Sequence, residues 1–350
     1  MEARRNILLL AAAALAALLA GSCVKTLGPE DDGWTPLGGD RPVSFSSNLS
    51  APATKAGLPA GTTFGVFAYS QPPVNGSTGG WNGTQTPNFM FNEDVLFDGT
   101  NYSYSPIKYW PNDTNHTITF WAYCPYSANP DLLKTGSSTV PFTNTTNNFP
   151  DVRFTADGTT DLLISNKIKS KSKPSLGTPV TFTFSHVLSD INVSAKKVDA
   201  TPQYTVMLKS LSFENIRMNA IFRNSNASWN TYSDTPGNHI CFQDDPDIDT
   251  DNIEISTSFE PVGHAILLPQ VFESDDAVLR VVYSIKSSSM THERPVVCEI
   301  PLKKMFVGSS STWSKNTRYT IKITITPDDP IDFTVSWSNW GDVYNWHITS

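Results

Sequence analysis

Cys23 is the residue whose setting most directly implies covalent chemistry. It follows Ala20, Gly21 and Ser22 at the end of an apolar run, Ile7 to Leu19, that has Arg4 and Arg5 ahead of it. A positive start, an apolar stretch of this length and small residues before a cut make an export signal. The run is too short to be a comfortable membrane span. The tetrapeptide AGSC resembles a bacterial lipobox, with Ala20 where Leu is more usual. The chemistry expected is thioether lipidation of Cys23 and cleavage before it, so that residues 1–22 are a signal peptide. The alternative is an ordinary secretory signal with an incidental cysteine. Multiple acyl chains give stable anchoring where one is marginal, so a membrane is the first expected partner.

The other reactive residue types form no catalytic set. There is no GxSxG elbow, GxGxxG or Walker loop, and His292-Glu293 is followed by Arg294, Pro295 and Val296 instead of completing HExxH. The histidines at 116, 186, 239, 264, 292 and 347 have no metal-ligand spacing. His186 reads as a structural histidine at a strand end. In the acidic run Gln243 to Glu254, Asp245, Asp247 and Asp249 have the first spacing of a calcium loop. Thr250 then stands where Gly is needed and Ser256 where Glu is needed, which leaves a solvated acidic loop. No metal, cofactor or catalytic residue is expected, and the chain is not expected to be an enzyme.

Cys124, Cys241 and Cys298 remain once Cys23 is assigned to lipid. Three is odd, so a full disulfide framework is excluded and a single bridge stays open. At least two of them read as small buried apolar residues. The formal charge of −8 excludes nucleic acid as a partner, because no basic stripe could neutralise phosphates. Trp81, Trp229, Trp313, Trp340 and Trp346 lie in or beside loop-like sequence. They keep open a second reading, a surface lipoprotein that binds glycan without polymerising. Against it, aromatic rings are the usual filling of β-sandwich cores.

The elements that carry these residues read as strands. Val180, Phe182 and Phe184 alternate with Thr181, Thr183 and Ser185, and Ile191, Val193 and Ala195 alternate with polar neighbours, the period of half-buried strands. Val43, Phe45 and Leu49 share one face. Further strands are expected at Phe64 to Tyr69, Tyr102 to Trp110, Thr117 to Tyr123, Val152 to Thr155 and Asp161 to Ser165. In the second half they are expected at Val206 to Ile216, Ala220 to Phe222, Ala265 to Leu268, Val278 to Ile285, Val296 to Pro301, Thr317 to Thr326 and Phe333 to Trp337. Strands at about ten-residue intervals, with Pro, Gly and Asn between them and almost no helical periodicity, indicate an all-β sandwich fold. Residues 23–40 are rich in Gly, Pro and Asp and read as a tether. The stretch NKIKSKSKPSLG reads as an exposed linker. It places a boundary between an N-terminal domain, 41–175, and a C-terminal domain, 176–350.

FTFSHVLSDINVSA resembles the Phe-x-His-x-Leu-Ser-x-Ile segment of the fimbrillin family, the subunits of type V pili. FGVFAYS, SPIKYWPND, ITFWAYCPY, DLLIS, ILLPQ and WSKNTRYTIKITI agree with it in order. The resemblance implies two tandem transthyretin-like β-sandwich domains. It also implies a stalk, anchor or tip subunit, exported as an outer-membrane lipoprotein and placed at the cell surface in a fimbrium. The partners implied are other pilus subunits, in a homo- or hetero-polymer, and a host or bacterial surface ligand. Family members are cut by a trypsin-like protease after a first strand. Here that strand is Pro42 to Leu49, and Arg41 and Lys55 are the candidate processing sites. The tail, in which Val343, Asn345 and His347 alternate with Tyr344, Trp346 and Ile348, is the candidate donor strand. The alternative is that the tail completes its own sheet.

Overall fold

The computed structural model describes residues 41–50, 58–200, 203–230, 232–233, 235–244, 253–305, 311–327 and 331–340. Cys23, the tether, Lys55, most of the acidic run and residues 343–348 of the proposed donor strand lie outside the described residues. The regular structure of the described chain is almost entirely strand, with a single 3-10 turn at Leu302–Met305. No helix among the described residues is long and apolar enough to cross a membrane.

The first half carries β1 (Phe45–Leu49), β2 (Thr62–Gln71), β3 (Met90–Phe97), β4 (Tyr102–Ser103), β5 (Thr117–Cys124), β6 (Leu132–Leu133), β7 (Asp151–Thr155), β8 (Leu163–Ser165), β9 (Ile168–Ser172) and β10 (Val180–His186). Eight of these strands form one sheet in the order β1-β10-β8-β5-β2-β3-β4, with β9 added beside β5. Both faces of its central strands are covered, so β2 and β5 are apolar at nearly every position. Phe64, Val66, Phe120 and Ala122 turn to one side, where they meet Phe182 and Phe184 of β10. Phe67, Tyr69, Trp121 and Tyr123 turn to the other side and join the larger core.

The second half carries β11 (Ser189–Lys197), β12 (Tyr204–Ile216), β13 (Asn219–Arg223), β14 (Ser228–Asn230), β15 (Gly237–Gln243), β16 (Ile253–Glu254), β17 (Glu260–Leu267), β18 (Gln270–Val271), β19 (Val278–Ser287), β20 (Arg294–Pro301), β21 (Thr312–Trp313), β22 (Thr317–Ile325) and β23 (Asp332–Asn339). One sheet runs β17-β11-β22-β23 and the other β15-β12-β19-β20, with β16 beside β12. Their apolar faces share a core: Ile191, Val193 and Ile321 of the first sheet lie with Leu208, Leu279 and Val281 of the second. Two facing sheets with alternating inward side chains are a sandwich.

Three expectations change. The stretch read as a linker contains β9, which pairs antiparallel with β5. Tyr102 to Trp110 is not one strand. Pairing stops at Ser103, and the chain turns before an isolated bridge between Pro42 and Tyr109. The division at residue 175 separates β10 from β1 and β8, to which it is hydrogen-bonded. The ladders of this sheet stay on one side only when the boundary moves to Val187 and Leu188.

The halves are also laced together. β7 of the first half pairs with β13 of the second. Beside that ladder Asp151, fully buried, accepts from Arg223 Nη1 at 2.9 Å, from the Gly136 amide at 2.9 Å and from the Asn224 amide at 2.8 Å. His186 is buried, bonds Asp161 at 2.7 Å through Nδ1 and lies flat against Trp340, which follows the last strand. Its reading as a structural histidine fits that setting.

Candidate functional site: the seam closed by the first strand

The two ends of the eight-stranded order meet. β1 stands at one end and β4 at the other, yet Phe45 touches Tyr104 and Ser47 touches Tyr102. The sheet is therefore rolled, and β1 lies in its seam. On one side β1 has a parallel ladder with β10, Phe45 opposite Val180 through Leu49 opposite Phe184. On the other side it has no continuous strand partner among the described residues. Side chains and loop backbone take over that edge. Tyr104 donates its hydroxyl to the Val43 carbonyl at 2.8 Å, and Tyr102 accepts the Ser47 amide at 3.1 Å. Before β1, the Val43 amide donates to the Lys108 carbonyl and the Trp110 amide to the Arg41 carbonyl, both at 2.8 Å.

What holds β1 is its inward face. Val43, Phe45, Ser47 and Leu49 alternate inward and are all buried. The Phe45 ring has those of Tyr104, Phe182, Phe120 and Phe64 at centroid distances of 5.3, 5.7, 6.2 and 6.4 Å. Burial pushes the Tyr104 phenol above the ordinary tyrosine range, although its bond to Lys108 opposes the shift. Lifting β1 away would leave a slot with a wide aromatic pocket at the Phe45 position. Two residues further on it would uncover the hydroxyl of Tyr102. An edge with unpaired backbone groups along an apolar slot is what an added strand recognises.

Arg41 stands at the entrance to the seam. Its carbonyl accepts from Trp110 and its guanidinium donates to the Pro174 carbonyl, so both its backbone and its side chain are engaged. Lys55 lies in the connection between β1 and β2, outside the described residues. The tryptophans behind the glycan reading are mostly spent on packing. Trp313 and Trp340 are buried, Trp81 stacks on Phe149 and Trp229 sits against Phe222, while Trp346 lies outside the described residues. Trp337 on edge strand β23, which that reading did not include, is 62 % exposed. Cys124, Cys241 and Cys298 are free thiols. The Ser47–Tyr102 contact is not legible in the sequence, because the two residues lie 55 positions apart.

A rolled eight-stranded sheet closed by one edge strand, joined to two further facing sheets, defines an all-β sandwich fold. The chain belongs to the fimbrillin-like family, whose model matches residues 52–340. The match begins just after β1. The chain is 34 % identical over 159 residues to the fimbrium subunit Fim1C of Phocaeicola vulgatus. That alignment covers 41 % of this chain and 39 % of the relative, so it spans well under half of either. Among solved structures, a fimbrial protein from Bacteroides vulgatus superposes with a TM-score of 0.62 at 20 % identity, covering 86 % of this chain and 99 % of the other. A candidate cell adhesion protein from Bacteroides uniformis gives 0.51 at 16 % identity, covering 87 % and 100 %. At these identities the two structures establish the fold. Membership of the fimbrillin-like family supports a structural, fimbrial role.

Proposed function

We propose that this chain is exported as an outer-membrane lipoprotein through Cys23 and joins its fimbrium by exchange of β1. Removal of β1 opens the aromatic slot, and the C-terminal segment of a neighbouring subunit fills it by strand addition. The carrying observation is the asymmetry of β1. It has one backbone ladder, on the β10 side, and an inward face buried among four aromatic rings. Such a strand leaves as a unit and leaves behind a shaped acceptor. Release needs a cut between β1 and β2, where Lys55 is the one basic residue of residues 51–57. A cut at Arg41 would leave β1 attached to the body.

The test uses the purified full chain, with and without limited trypsin treatment. Cutting at Lys55 is expected to produce ladders of oligomers on unboiled SDS gels. Truncation before Gly341 is expected to abolish the ladders while melting stays within a few degrees. A truncated chain that unfolds would mean that the tail completes its own sheet. The truncation starts at Gly341 because Trp340 is buried against His186. Monomeric retardation in polysaccharide gels, without ladders, would favour the glycan-binding reading. Cys23→Ala is expected to abolish incorporation of labelled fatty acid.

A further inference from the structure

We infer that Tyr102 sets the register of the strand in the seam, and that the strand it selects carries a hydroxyl residue two positions after a large apolar one. In the C-terminal segment of a second copy of this chain, that strand is Trp346 to Ser350, with Ile348 at the Phe45 position and Ser350 at the Ser47 position. This inference rests on the exchange reading above.

Ser47 is a polar residue in an apolar place. It is 7 % exposed and faces inward in the same row as Val43, Phe45 and Leu49. Its hydroxyl lies 2.8 Å from the Tyr102 hydroxyl, and its amide donates to the same oxygen at 3.1 Å. The Tyr102 ring is stacked on Phe97 at 4.6 Å, so the phenol is held from behind. When β1 leaves, water can solvate that hydroxyl. When another strand enters, its backbone amide can still donate to that partly buried hydroxyl, but only a hydroxyl side chain at the Ser47 position restores the second bond. A one-residue slip would turn the apolar row of the incoming strand outward. A two-residue slip would keep the row inward but set an aliphatic side chain against Tyr102. The phenol thus distinguishes registers that the aromatic pocket alone would tolerate.

The tail has the matching pattern. Aligned with the polarity of β1, which runs parallel to β10, Trp346 falls at Val43, Ile348 at Phe45 and Ser350 at Ser47. The outward hydroxyl is matched as well. Ser46 is paired with Thr181 at 2.8 Å, and Thr349 falls at its position. Apolar, hydroxyl, hydroxyl is the order in both Phe45-Ser46-Ser47 and Ile348-Thr349-Ser350.

The experiment uses the full chain with a specific protease site placed within residues 51–57, cut and left assembled. Synthetic peptides of residues 342–350 and 42–50 are added, and displacement of fluorescently labelled β1 fragment is followed. The 342–350 peptide and its Ser350→Thr variant are expected to displace the fragment. Ser350→Val is expected to bind up to about tenfold more weakly, the loss of one hydroxyl–hydroxyl bond to Tyr102. In a Tyr102→Phe chain, which keeps the ring and loses the oxygen, the difference between the natural tail peptide and its Ser350→Val variant should vanish. Equal binding of both peptides with Tyr102 intact overturns the inference, as does a difference that persists in Tyr102→Phe. Displacement by the 42–50 peptide and not by the tail peptide overturns the register while the exchange reading stands. Displacement by neither peptide removes the exchange reading and the inference together.

Discussion

Truncating Phe45 to alanine measures how much of the grip on β1 comes from its inward face. The ring is 4 % exposed and has four aromatic neighbours within 6.4 Å. Replacing a buried Phe by Ala costs about 3–5 kcal/mol, the sum of lost transfer energy and of the cavity left behind. Edge-to-face and stacked ring pairs put this site toward the upper part of that range. In an intact chain the loss would spread over every unfolding equilibrium. In a chain cut within residues 51–57 it falls on one step only, because Phe45 travels with the released fragment and the remaining body is chemically unchanged. At about 1.4 kcal/mol per decade, fragment affinity should fall by roughly two to three and a half orders of magnitude. The assay is exchange of labelled fragment from the cut protein, with near-ultraviolet circular dichroism of the body recorded alongside. A loss below about tenfold would refute the claim that side chains, more than the β10 ladder, hold the strand. Loss of the dichroism signal as the fragment leaves would refute the claim that β1 is separable from a folded body.

Other parts of the molecule give independent tests. Asp151→Asn should cost about 3 kcal/mol in chemical denaturation, because the site of Asp151 is fully buried and the largely covered Arg223 would lose its carboxylate. Arg223→Met in the same chain should recover part of that loss, and strict additivity would contradict the described pair. Burial alone would raise the Asp190 carboxyl, but hydrogen bonds from His264 and Arg318 outweigh it and hold the group below the ordinary aspartate range. A group depressed in the folded state contributes stability above its unfolded pKa of about 4 and loses it as the pH falls through the folded value. The stability gap between the natural chain and Asp190→Asn should therefore shrink as the pH falls below about 4, read by denaturant midpoints. Burial pushes the Cys124 thiol well above the ordinary range, with the Asp161 charge adding to it, and pushes Cys241 up to about 12. In a Cys23→Ala chain at about pH 8, a little below the ordinary thiol pKa, a thiol reagent should therefore reach Cys124 only on unfolding. Rapid labelling of Cys124 in the folded protein would contradict its burial.

Strands that alternate cleanly were legible from the residues alone. Val180, Phe182 and Phe184 announce β10, and Tyr319, Ile321 and Ile323 announce β22, because one face of each strand is buried and the pleat has period 2. β3 was not legible. Asn92, Glu93 and Asp94 interrupt its apolar positions, Asn92 has a positive φ of 53°, and the register against β2 shifts between Val66 and Ala68. β9 was hidden for another reason. IKSKS lies off the main strand path with no fully buried residue, so its composition is that of a loop and only its pairing with β5 makes it a strand. The boundary was misplaced because sequence neighbours are not sheet neighbours: Ser46 of β1 and Thr181 of β10 face each other across 135 residues of chain. The inward row of β1 was half legible. Its apolar members share a face, but the burial of Ser47 is decided by a tyrosine on another strand.

The geometry of β1 separates what an exchange mechanism requires of energy from what it does not. Replacing β1 by another strand in the same register rebuilds one ladder with β10 and refills one set of pockets, so the net free energy is a small difference between similar sums. Affinity of the newcomer therefore cannot drive the exchange while β1 remains tethered. A strand joined to its own body acts at an effective concentration of about millimolar, far above that of free subunits. The cut between β1 and β2 removes this advantage at one stroke, after which mass action and pocket fit decide. In the proposed exchange the covalent step would supply the direction and the slot the selectivity. The aromatic pocket at Phe45 accepts any large apolar side chain, and volume-conserving swaps there are cheap. In the proposed exchange, selection would then fall to the Tyr102 hydroxyl, whose side-chain partner on β1 is itself a hydroxyl.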